Sequence, residues 1–114
     1  MTECPLPKKV ATPARPREWR MCPAHRAWVR KHHCSVKGCP TLPVECAHIR
    51  IGTDGGIALK PSDRWIISLC AGHHREQHQL GERRFQTKYR LDLIELAKEF
   101  ARKSPHFRKL MADS

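Results

Sequence analysis

The sequence predicts a small α+β domain, built as a strand–loop–strand–helix unit that zinc staples shut, with further helices flanking it. Three observations carry this. The stretch Leu69–His78, LCAGHHREQH, packs Cys70, His73, His74 and His78 into one short segment, and a second thiol pair, Cys34 and Cys39, lies upstream of it. Two short β-rich apolar runs, around Val44–Ile51 and Trp65–Leu69, bracket a glycine loop. Downstream, Phe85, Tyr89, Leu93, Leu96 and Phe100 recur at helical spacing.

Taken in order, residues 1–17 hold Pro5, Pro7, Pro13 and Pro16 among basic residues and read as an extended or disordered tail. The domain itself is expected over 18–104, with a second tail over 105–114. A helix is predicted from Ala24 onward, with Pro23 at its first turn, where proline's missing N–H costs nothing. Its arginines and lysines can face phosphates while Trp28 packs inward. Cys34–Cys39 encloses Gly38 and reads as a tight knuckle. Val44–Ile51 is strand-like, with Val44, Cys46 and His48 on one face by the period of two. Gly52, Asp54, Gly55 and Gly56 form a loop, whose glycines serve turn geometry. Trp65–Leu69 supplies the second strand, and a short helix follows over about Gly72–Leu80, stopped by Gly81. One last helix carries the stripe from Phe85 to Phe100, widened by Ile94 and Ala97, and ends at Ser104 and Pro105. That stripe is plain core packing. No internal repeat is visible.

Charge narrows the partners. The formal net charge is +11 and the sequence pI is about 9.9. Residues 1–33 carry eight Lys/Arg against two acids, 34–78 five against four, and 79–114 nine against five. A near-neutral centre between basic flanks suits a site held against a polyanion, and nucleic acid is the obvious one. No apolar run is long enough to span a membrane, and no secretory signal follows Lys8 and Lys9. Cytoplasmic residence is therefore expected, where thiols are more often metal ligands than disulfides.

Cys34, Cys39, Cys70 and His73 form two short-spaced pairs, and a Cys3His set is a common tetrahedral zinc site. The alternatives are that Cys34 and Cys39 are small buried hydrophobes, or that another set forms using Cys22, His25 or His33. The roles of Cys4 and Cys46 stay open. Three imidazoles are left for chemistry. His74 and His78, four apart, share a helical face and can bind one divalent cation. Neutral His48 can take a proton near neutral pH. Each has a plainer alternative: a structural histidine at 48, solvated helix residues at 74 and 78.

The ordered set resembles a known family. From about Trp28 to Phe100 the chain is similar to the HNH, or His-Me finger (ββα-metal), nucleases, nearest to small phage and prophage members. The matching pieces are the Cys34/Cys39 knuckle, AHI at Ala47–Ile49, GTDGG at Gly52–Gly56, KPSD at Lys60–Asp63 and LCAGHHREQH. The resemblance implies a ββα-metal core with His48 as general base. It implies a divalent cation (Mg2+, Mn2+, Ni2+ or Zn2+) on His74 and His78, and structural Zn2+ on Cys34, Cys39, Cys70 and His73. Asp63 falls near the family's middle position, usually Asn, which orients the loop and sometimes touches the metal; a turn or capping role is its alternative. Ala47 stands where the family often has a metal-holding Asp or His, which implies weak cation binding without DNA.

The sequence thus points to a DNA endonuclease of a bacterial or phage-infected cytoplasm. Arg50, Lys60 and Arg64 flank the expected cleft as candidate phosphate contacts, with the basic N-terminal segment and the C-terminal helix adding backbone binding. The rival is a non-catalytic zinc-containing DNA-binding module, and an RNA-directed nuclease ranks below both.

Overall fold

The computed structural model describes residues 21–53 and 61–111. The N-terminal tail with Cys4, most of the glycine loop, Lys60 and the last three residues lie outside the described residues.

Helix α1 spans Pro23–Val29, with the proline in its first turn. One face is set inward through His25 and Val29, both fully buried. The chain then turns through the Cys34–Cys39 knuckle, where Gly38 adopts φ +82° and the Cys39 amide donates to the Val36 carbonyl at 3.0 Å. A positive φ is inexpensive only for glycine, which is why it sits at this corner.

Strands β1 (Val44–His48) and β2 (Ile66–Cys70) pair antiparallel, Val44 opposite Cys70 and His48 opposite Ile66. β1 is shorter than the predicted run to Ile51, and the cause is visible. The Ile49 amide still reaches the Trp65 carbonyl at 2.8 Å. The next two amides, of Arg50 and Ile51, instead donate to the Glu82 carboxylate at 2.8 Å each. β2 starts one residue late because the Trp65 amide closes a turn onto the Ser62 carbonyl. It then runs through Cys70, and all five of its residues are buried.

Helix α2 (Ala71–Leu80) follows without a loop. Cys70 is its N-cap, its sulfur accepting from the His73 amide, and Gly81 ends it at φ +86°. Helices α3 (Glu82–Tyr89), α4 (Leu93–Lys103) and α5 (Phe107–Met111) complete the chain. The single long helix predicted from Phe85 to Ser104 is therefore two. Arg90 takes the left-handed conformation at φ 55°, and the Asp92 carboxylate caps α4 by accepting from the Glu95 amide. The Gln86 side chain secures the corner, accepting from the Leu93 amide at 3.0 Å. α5 lies in the segment read as a tail.

The core lies where α4 packs on β2 and joins Ile49, Ile67, Leu69, Phe85, Leu93 and Ala97. Full burial of Phe85 alone is worth roughly 2–3 kcal/mol. Among the described residues no helix is long and apolar enough to cross a membrane.

Candidate functional site

The knuckle, the end of β2 and the first turn of α2 meet at one point. There the ligand atoms of Cys34, Cys39, Cys70 and His73 all lie within 4.8 Å of one another. The His73 Nδ1 is 3.4 Å from the Cys34 sulfur and 3.3 Å from that of Cys70, and the Cys39 and Cys70 sulfurs are 4.0 Å apart. A tetrahedron with sulfurs ~2.3 Å from its centre has edges of about 3.8 Å, so the cluster can hold a metal ion. Among the described residues it is the one such group of three or more ligating side chains. Burial pushes the Cys34 thiol up to about 11; a cation in the cluster reverses that preference by stabilising the thiolate. None of the alternative ligands joins this cluster. Cys22 is buried away from the cluster, and His25 places Nδ1 2.9 Å from the Ser104 hydroxyl. His33 is exposed, its carbonyl accepting from the Ser68 hydroxyl.

A second centre lies across β1 and α2. His48, His74 and His78 line one cleft of about 730 Å³, together with Arg26, Arg30 and Glu45. The His74 and His78 ring centroids are 5.0 Å apart, as helical spacing requires. The His74 Nδ1 meets the Glu45 carboxylate at 2.8 Å. Cys46 shares the cleft with His48, whereas Ala47 between them is fully buried. The alternation expected of β1 thus holds at its second half.

Asp63 sits behind His48 and is nearly fully buried. One carboxylate oxygen is 2.8 Å from the His48 Nε2. The other accepts from the Cys22 amide and from the Arg26 guanidinium, each at 2.7 Å. Burial works to raise the Asp63 pKa, but the His48 bond, the Cys22 amide and the Arg26 charge outweigh it, and the group stays below its usual range. With one oxygen on His48 and the other on Arg26 and the Cys22 amide, Asp63 is placed to orient the histidine. Among the candidate phosphate contacts, Arg50 lines the cleft, while Arg64 lies over the Trp65 ring at 4.9 Å.

Glu45 does not stand out in the sequence, and Arg26 and Arg30 read there only as phosphate-facing cations of the first helix, with no sign that they join this cleft. Their part depends on strand register and on the approach of α1, and neither leaves a local signal.

Residues 8–104 match the family described as "Protein of unknown function (DUF968)". No curated protein and no solved structure matches the chain.

Proposed function

The chain belongs to the DUF968 family, and we propose that it is a metal-dependent DNA endonuclease of the HNH, ββα-metal kind, with structural zinc on Cys34, Cys39, Cys70 and His73. The observation that carries this reading is the shared cleft of His48, His74 and His78, with His48 held from behind by Asp63. The antiparallel pair running directly into α2, and the Cys3His cluster beside it, support the same reading.

The residues divide the work. The Asp63 carboxylate accepts from Nε2–H of His48, which leaves Nδ1 unprotonated. That nitrogen takes the proton from the attacking water. Arg26 and the Cys22 amide keep Asp63 ionised, so the tautomer is fixed before substrate arrives. Glu45 accepts from Nδ1–H of His74 and leaves its Nε2 for a cation, the arrangement by which a carboxylate orients a ligating imidazole. His78 adds a second nitrogen from the next turn. When bound, a divalent cation supplies positive charge against the scissile phosphate and its leaving oxygen. Two imidazole ligands suit Mn2+, Ni2+ or Zn2+ better than Mg2+, which prefers oxygen ligands.

DNA as substrate rests on the charge surplus and its placement. Arg26, Arg30 and Arg50 stand around the cleft. The cations of α4 contribute less than the sequence suggested, because Lys98 pairs with Glu95, and Arg102 and Lys103 pair with Glu99.

Plasmid nicking in Mg2+, Mn2+ or Ni2+ tests the proposal. Wild type is expected to cut, and His48→Ala to bind DNA as tightly while cutting about 10²- to 10⁴-fold more slowly. Wild type that binds DNA but cuts in none of the three metals would be the zinc-containing binding module instead.

A further inference from the structure

The imidazole cleft does not end at His78. A second cleft of about 860 Å³ opens from it, sharing His48, Arg50 and His78, and runs to the start of α3, where Arg83 and Arg84 line it. Three features make this more than a charged surface. Both arginines are exposed, and among the described residues neither side chain has an ion-pair or hydrogen-bond partner. The first turn of α3 has glycine at its N-cap, so no capping side chain satisfies its amides, and the one acid there, Glu82, is already committed to the Arg50 and Ile51 amides. Beneath the cleft lies Gln77, 2% exposed, whose amide nitrogen and oxygen have no partner among the described residues. A buried amide left unpaired is costly, and natural folds seldom keep one without a use.

We infer that this second cleft seats the DNA backbone phosphate next to the one cleaved, held by Arg83, Arg84 and the α3 first-turn amides, with the Gln77 amide turning up to it. The inference rests on the nucleic-acid half of the proposed function. The strand then crosses the molecule with Arg26 and Arg30 on one side of His48 and Arg83 and Arg84 on the other. Helix N-termini and paired arginines are the usual means of holding a phosphate in register without reading its base.

The test is binding of a fluorescein-labelled DNA duplex of arbitrary sequence, by anisotropy in Ca2+, across a salt series. Arg83→Ala/Arg84→Ala is expected to raise Kd about tenfold, with the slope of log Kd against log salt falling by about 1, near the ~0.9 for one phosphate no longer neutralised. Gln77→Leu is expected to weaken binding several-fold without lowering the thermal midpoint. Lys98→Ala/Lys103→Ala, which removes the same charge from α4, is expected to stay within about twofold of wild type. Unchanged affinity in the arginine variant overturns the inference, as does an equal loss in the α4 variant. Unchanged affinity in Gln77→Leu also overturns it, because the buried amide is what marks the cleft as built.

Cleavage measured in Mn2+ on the same samples separates this from the nuclease reading. Cutting by wild type, with variants that bind like wild type, sinks the phosphate seat alone. Wild type that binds with the expected losses in the variants, yet never cuts, sinks the nuclease alone. Wild type that binds no DNA sinks both.

Discussion

Asp63 is the side chain on which most depends, because one buried carboxylate serves His48, Arg26 and the Cys22 amide at once. Asp63→Asn keeps the shape but not the charge, and its amide can leave His48 in the wrong tautomer. Nicking is expected to fall about 10²- to 10⁴-fold, with stability lower by roughly 1–2 kcal/mol in urea unfolding. Its pKa lies below the ordinary 3.8, so the stability it contributes is full above about pH 4 and is lost as pH falls through the lower folded value. His25 acts in a higher window. Burial lowers its pKa from 6.5 to about 4, against the pull of Asp63 and with help from His106 and His32. The unfolded chain takes up that proton first, so the His25 contribution is complete above pH 6.5 and drains away toward pH 4. In urea unfolding, His25→Asn should flatten the fall in stability between those limits relative to wild type; an identical slope would remove His25 as its source. At this scale spacing made much of the site legible. Cys34/Cys39, Cys70/His73 and His74/His78 could be grouped because each pair is local. Glu45 could not, since it meets His74 only through the β1–β2 register, and Gln77 gives no sign of being buried.

At the scale of elements the informative case is the corner between α3 and α4. The apolar period runs through it unbroken, since Tyr89 and Leu93 are four apart, and periodicity therefore predicts one helix. The break is written in smaller marks: Asp92 followed three residues later by Glu95, an acidic cap with its capped amide. Asp92→Ala should cost about 1 kcal/mol in thermal or urea unfolding. Arg90→Gly should gain up to about 1 kcal/mol, because the left-handed backbone at φ 55° strains any residue with a Cβ. If Arg90→Gly were destabilising, its side chain would have a role beyond the turn. The strands are legible to within one to three residues for a similar reason. Their apolar content is local, but the end of β1 is set from a distance by Glu82, and the start of β2 by a turn onto the Ser62 carbonyl that leaves no apolar signal.

For the whole molecule, the Cys3His cluster ties the knuckle to the strand pair and to α2, joining segments more than thirty residues apart. A chain of this size buries a modest core, and a bound ion there contributes directly to folding. Purified protein is expected to carry about one zinc per chain by elemental analysis. Cys70→Ser should lose both the zinc and the cooperative unfolding transition; a folded, zinc-free wild type would contradict this.

Cys70 closes β2, caps α2 and belongs to the ligand cluster, while His74 and His78 ride on that same helix. Exposure to a chelator should therefore leave a memory. Under the proposed function, a brief treatment is expected to strip a cation held by His74 and His78, and Mn2+ to restore nicking at once. A long one lets α2 unravel from its first residue, and the same Mn2+ then returns to histidines that no longer face each other, so that recovery waits on zinc and refolding.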